Sequence, residues 1–268
     1  MMKAQSMSRF LKILLVAVAT LLTLSFFTVP EEFFSQKEQL TLRAVKSHLS
    51  QVHYNQPNFD SAYSSLVFDD YIKRLDPGRR ILTQADLEEW ESYRWSLSEE
   101  IQKSTFHFFD ISYATWQRRL QESKEGFSEV SREHPGFDHE EFLEMDSEKR
   151  PFPADSRALK EAWCKYIKYD MLKRLDNMQE RQRNKKELLE HPTESYKLSA
   201  DEEGDKQGID SAKWKKDQHF ASLGIDSLME RAFKKAISNY EAWFDRMDEL
   251  RRVDWMAQYL NSITNVVD

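Results

Sequence analysis

Residues 68–90, FDDYIKRLDPGRRILTQADLEEW, hold a helix, its stop, a turn and the start of the next helix in one block. Phe68, Tyr71, Ile72 and Leu75 fall at the three- and four-residue spacing of a single helical face. That face ends at Asp76-Pro77-Gly78, because proline has no N–H to donate and glycine tolerates positive φ. Thr83 then stands where an N-cap oxygen is wanted. A chain with such a corner must carry two helices joined by a tight turn.

The remainder reads as more of the same. Only six glycines, frequent Leu, Lys, Glu, Arg, Met and Trp, and few β-branched runs beyond residue 30 favour helix over sheet. Leu42, Val45, Leu49 and Val52 place a packing helix over 36–54, and 59–75 follows with Asn58 or Asp60 as its cap. Helices are expected over 84–103 and 106–123. Their rings, Trp90, Tyr93, Trp95, Phe106, Phe108, Phe109, Tyr113 and Trp116, read as core rather than a ligand box. Residues 126–153 turn polar and read as a surface crossing, partly extended. A long helix over 156–190 carries Leu159, Trp163, Ile167, Met171 and Leu175, and its distal end loses the apolar stripe. Residues 191–221 are charged and interrupted, as a solvated excursion would be. From Ile225 the stripe returns at Leu228, Ala232, Ala236 or Ile237, Tyr240, Trp243 or Phe244, Met247 and Leu250, and a last helix covers 254–267. The fold class is all-α, a multi-helix, bundle-like domain.

At the amino terminus Lys3, Arg9 and Lys12 precede an apolar run over 13–29. Residues 1–30 read as a secretory signal peptide or, because no small-x-small cleavage site is evident, an uncleaved signal anchor. No cysteine follows the run, which sets a lipoprotein signal aside. The basic flank keeps the amino terminus in the cytoplasm and sends the body across the membrane. The expected location is periplasmic, with inner-membrane anchoring left open. Net charge is -7 with both signs interleaved, which argues against nucleic acid as a partner. Cys164 is the sole cysteine and, beside Trp163 on an apolar face, reads as a buried, inert thiol.

The corner at 68–90 resembles the N-terminal helical region of tail-specific proteases, the carboxyl-terminal processing serine peptidases. Two further segments resemble the same family in the same order. Residues 146–172 carry Lys149, Pro151, Phe152, Pro153, Leu159, Trp163, Lys168 and Asp170, a lysine and a Pro-aromatic-Pro element ahead of a Trp-bearing helix. Residues 239–268 look like the helix pair that leads into the family's Asp-Pro-His-Thr-Asn-Tyr motif, of which the chain has the Asp268. The resemblance implies that the PDZ domain and the catalytic Ser/Lys dyad have no counterpart among these residues. No catalytic role is therefore carried onto any serine or lysine of the chain, and it would be inactive alone.

Other chemistry finds little footing. Asp201, Glu203, Asp205 and Asp210 cluster with Gly204 and Gly208, yet no register places both the glycine and the bidentate carboxylate of a calcium loop. His134 and His139 are separated by a Pro-Gly break, His48 and His53 read as helix and cap residues, and no HExxH or paired cysteines exist. Ser211 with Lys213, and Ser131 with Arg132, read as polar loop neighbours. Glu241 with Asp245, and Arg231 with Lys235, read as a solvated helical face. No metal, cofactor or catalytic residue is assigned, and the substrate-binding residues stay unassigned.

The function implied by the resemblance is a scaffold that encloses substrate in an exported protease acting on protein C-termini. Its partners would be protein substrates or adaptors and the enzyme's PDZ and peptidase domains. A free-standing exported module that binds a protein partner is the alternative. Residues 31–268 form the helical domain in either case.

Overall fold

A computed structural model describes residues 36–190 and 211–267. The expected signal or anchor at 1–30, and the acidic cluster at 201–210, lie outside the described residues. Among the described residues the secondary structure is nine α-helices and one 3-10 turn, with no strand. We number them α1 (Gln36–Gln51), α2 (Ser61–Leu75), α3 (Gln84–Trp90), α4 (Leu97–Lys103), α5 (His107–Val130), α6 (Ser156–Glu190), α7 (Ser211–Ala221), α8 (Ile225–Glu249) and α9 (Arg252–Asn265). No helix among the described residues is long and apolar enough to cross a membrane.

The chain forms two compact units, one within Met1–Tyr71, Ser92–Ala114 and Gln258–Asp268, the other within Ile72–Glu91 and Thr115–Ala257. In the first, Leu42 and Leu49 of α1, Val67, Phe68 and Tyr71 of α2, Leu97 and Ile101 of α4, Phe106 just ahead of α5, Phe108 and Phe109 of α5, and Tyr259 and Ile263 of α9 are buried. Burying each such side chain contributes about 1.5–3 kcal/mol, so these rings and branched chains are its main source of stability. Tyr259 meets the ring of Tyr71 edge-on at 5.0 Å. Polar tips find partners at the edges: the Tyr63 hydroxyl donates to the Ile263 carbonyl at 2.6 Å and Tyr71 meets the Ser112 hydroxyl at 3.0 Å. Asp60 is the residue that caps α2, accepting from the Tyr63 N–H at 2.9 Å.

The second unit is built on α6 and α8. Trp163 is fully buried, its ring 5.1 Å from Phe244, 5.4 Å from Tyr240 and 5.7 Å from Phe127. Trp116 and Trp255 pack at 4.1 Å between ring centres. On α8 the buried stripe is Leu228, Ala232, Phe233, Ala236 and Phe244.

Five local expectations are corrected. The helix expected over 84–103 is three pieces, α3, a 3-10 turn at Glu91–Tyr93, and α4. Arg94 is drawn to Asp69 at 2.7 Å and over the Phe68 ring at 4.5 Å, and the Ser96 hydroxyl donates to the Tyr93 carbonyl, which breaks the helical ladder. Trp95, expected in the core, is left 58% exposed by the same break. The helix expected to stop at 123 continues through Gly126 to Val130, because Phe127 is buried against Trp163 and Phe244. A buried Phe contributes about 1.5–3 kcal/mol, more than the roughly 0.5–1 kcal/mol a helical glycine costs. The polar excursion expected to reach 221 ends in a helix, α7, fastened to α6 by Lys185 to Asp217 at 2.8 Å and by Gln182 to the Leu223 carbonyl at 2.7 Å. Cys164 is half-buried rather than buried, since the helix turns Trp163 inward and its neighbour partly out.

Candidate functional site

The corner at Asp76-Pro77-Gly78 is held by side-chain hydrogen bonds from within the turn and from Arg150. Asp76 ends α2 with its carboxylate inside the turn, Oδ1 accepting from the Arg80 N–H at 3.0 Å and Oδ2 from the Ile81 and Leu82 N–H groups at 2.8 and 2.9 Å. Three donors that the turn would otherwise strand are thus satisfied by one side chain. Burial pushes the Asp76 carboxyl up from its ordinary value, against the pull of those three N–H groups and of Arg80. The left-handed residue is Arg79, with φ 49°, and not Gly78.

Arg79 is held in that conformation from both ends. Its guanidinium donates to the Glu148 carbonyl at 2.9 Å and lies 4.9 Å over the Phe152 ring, while its own carbonyl accepts from the Tyr166 hydroxyl at 3.3 Å. Arg150, 7% exposed, spreads its fork over three carbonyls: Gly78 at 2.9 Å, Glu144 at 2.8 Å and Met145 at 3.4 Å. The Pro-Phe-Pro element closes the ring, since the Pro153 carbonyl takes the Gln84 N–H at 2.7 Å. Arg80 and Arg150 each stand 5.1 Å from the Tyr166 ring centre, and Arg80 also faces Tyr240 at 5.7 Å. Burial raises both tyrosines above their ordinary value despite the nearby cations, so they stay protonated at neutral pH.

A second fastening starts one step along. Thr83 precedes α3, and the Asp86 carboxylate takes both its N–H at 2.8 Å and its hydroxyl at 2.7 Å. Arg119 of α5 then clamps Asp86 with two bonds of 2.9 Å and reaches Glu122 at 2.6 Å and the Ser156 hydroxyl at 2.7 Å. Burial pushes the Glu122 carboxyl up, but Arg119 and Arg118 outweigh it and hold it below its ordinary value.

The residues weighed for chemistry are dispersed. His134 is paired with Glu230 at 2.6 Å and packs on Phe233, and the His53 ring meets the Asn55 carbonyl at 2.9 Å. Ser131 donates to the Ser128 carbonyl. Glu241, Asp245, Arg231 and Lys235 are solvent-exposed on α8. Among the described residues no group of three metal-ligating side chains comes together. A shallow open depression is lined by Leu189, Lys215, Gln218, His219, Ala221 and Ser222. The arrangement at the corner holds segments in place and brings no nucleophile to a base.

Sequence reading found Pro77, Gly78, Thr83, Phe152 and Pro153 but missed Asp76 as a turn ligand and Arg79, Arg80, Arg119 and Arg150 as clasps. An aspartate ahead of Pro-Gly is itself a signal for side-chain bonding into the turn. The arginines gave no such signal, because the carbonyls and carboxylates they bind are remote in sequence.

These observations define an all-α domain organised around an arginine-fastened corner and a Trp-centred helix pair. Comparison with known proteins is consistent with that class: the family described as the tail specific protease N-terminal domain matches residues 45–268. The chain belongs to that family. The tail-specific protease of Haemophilus influenzae is 26% identical over 167 residues, which cover 62% of this chain and 23% of that protein. The chain thus spans less than a quarter of that relative's length.

Proposed function

We propose that this chain is the helical entry scaffold of an exported serine protease that processes protein carboxyl termini. The observation that carries the reading is the family match over 45–268. Support comes from the corner, where two arginine clasps and a buried carboxylate hold four stretches of chain in one geometry, as a positioning element requires. In this reading the catalytic serine and lysine belong to the peptidase portion. The helical domain presents a fixed wall that admits extended chains and turns away compact ones. The basic flank at Lys3, Arg9 and Lys12 and the apolar run after it support delivery to the periplasm.

The test is to add the chain to the PDZ and peptidase portion of the Haemophilus influenzae relative prepared without its own helical region. Complex formation is followed by sedimentation, and cleavage by two substrates that share one C-terminal tail, one unfolded and one compact. The expected result is a complex in which the preference for the unfolded substrate rises. Absence of a complex with an unchanged preference overturns the scaffold role. Export is checked separately by fusing residues 1–60 to alkaline phosphatase, which is active only outside the cytoplasm.

A further inference from the structure

Arg80 stands part-exposed at the corner, and its guanidinium is committed to no acceptor. Among the described residues, none of the five N–H groups of that side chain makes a hydrogen bond. Its Nε is buried, so the terminal nitrogens are the part of the fork that reaches the surface. The oxygens around it are turned to other donors. Both Asp76 oxygens serve backbone N–H groups, the Gly78 carbonyl takes Arg150, and the Arg79 carbonyl takes the Tyr166 hydroxyl. Tyr240 donates its own hydroxyl to the Tyr166 carbonyl at 3.3 Å. Asp170, the carboxylate near Tyr240, is paired with Arg174 at 3.0 Å.

The side chain is nonetheless held in one direction. Its guanidinium lies 5.1 Å from the Tyr166 ring centre and 5.7 Å from that of Tyr240. A Cβ on residue 78 would stand 3.3 Å from Arg80 Cδ and 3.4 Å from Cγ, so the bare Gly78 lets the stem lie back against the turn. Ring faces attract and orient the cation, but they leave the N–H groups along its edge unmet. Arg150 stands 5.1 Å from the same Tyr166 ring, which sets a second positive charge beside the first. A guanidinium that is oriented, partly desolvated, unbonded and next to a like charge lacks an oxyanion.

We propose that Arg80 receives an oxyanion, a carboxylate or a phosphate, through its two terminal nitrogens. The buried Nε restricts the approach to the end of the fork, where two parallel N–H groups match two oxygens of such a group. The same chemistry is presented by a free anion and by an acidic side chain of a docked polypeptide. The site goes beyond the scaffold reading and does not rest on it, since it gives the fastened corner a ligand.

The test is nuclear magnetic resonance of the full chain carrying isotope-labelled arginine, with the Arg80 Nε–H signal assigned through the backbone of the unsubstituted chain. Sodium phosphate is titrated against sodium chloride at constant ionic strength. The expected result is a saturable shift of the Arg80 signal with phosphate that chloride does not reproduce and the other arginines do not share. Acetate and an end-blocked peptide of alternating glutamate and glycine are then compared. A peptide that binds tenfold or more tighter than acetate assigns the anion to a polypeptide, and a smaller difference assigns it to free anions. Arg80→Lys keeps a cation at the rings and loses the fork, so phosphate should bind it about tenfold more weakly, read as a smaller rise in Tm with added phosphate. No saturable shift at Arg80 with phosphate, acetate or the peptide overturns the proposal, as does an unchanged phosphate effect in Arg80→Lys. The titration needs no substitution, so it decides the matter even where the variant does not fold.

Discussion

The Arg150 guanidinium donates to the carbonyl of Gly78 at 2.9 Å, tying the turn after α2 to the loop before α6. The same fork reaches the Glu144 and Met145 carbonyls, and the group is almost wholly buried. Arg150→Lys keeps the charge but supplies one compact donor where three directions are needed. It should destabilise the chain by about 2–3 kcal/mol in urea denaturation. A loss within experimental error would mean that the clasp contributes nothing net.

Asp76→Asn puts an amide NH2 where a carboxylate oxygen accepts backbone N–H groups. With Oδ1 serving Arg80 and Oδ2 serving Ile81 and Leu82, either amide orientation leaves at least one donor unmet. The expected cost is about 2–4 kcal/mol, again by denaturation. Retention of full stability would show that the turn does not depend on the carboxylate.

Glu122 links acid stability to the second fastening. Its folded-state carboxyl lies below the ordinary 4.5, so its contribution is complete above that value and fades as pH falls through the lower, folded one. Glu122→Gln should therefore flatten the decline in stability between about pH 5 and pH 3 while lowering stability at neutral pH. Parallel acid limbs for the two proteins would remove Glu122 from the account.

Tyr259 is fully buried and its hydroxyl has no hydrogen-bond partner among the described residues. Burial holds that hydroxyl well above its ordinary pKa, so it stays neutral but unbonded. Tyr259→Phe keeps the ring against Tyr71 and removes the stranded group, so stability should hold or rise by up to about 1 kcal/mol. A clear loss in thermal denaturation would show that the hydroxyl does find a partner in solution.

Ser104 ends α4 in the left-handed region, with φ 57°, where a side chain carries a steric cost. Ser104→Gly should stabilise the chain by about 0.5–1 kcal/mol, measured as a raised urea midpoint. A lowered midpoint would mean that the buried serine side chain contributes more than the strain costs.

The amino-acid sequence by itself determined the all-α class, the bounds of α6, the stripe of α8 and the corner at Asp76-Pro77-Gly78. Each of these rests on local rules, because apolar spacing, proline's missing donor and a capping side chain act within a few residues. Tertiary structure decided where a local rule yields. Gly126 stays helical because Phe127 is buried on Trp163, Trp95 is exposed because Arg94 is drawn to Asp69, and α7 forms against Gln182 and Lys185 within a charged stretch. It alone decided the clasps as well. Arg150 on Gly78 and Arg119 on Asp86 join groups far apart in the chain, and a guanidinium carries no local mark of the carbonyl or carboxylate that folding will bring to it.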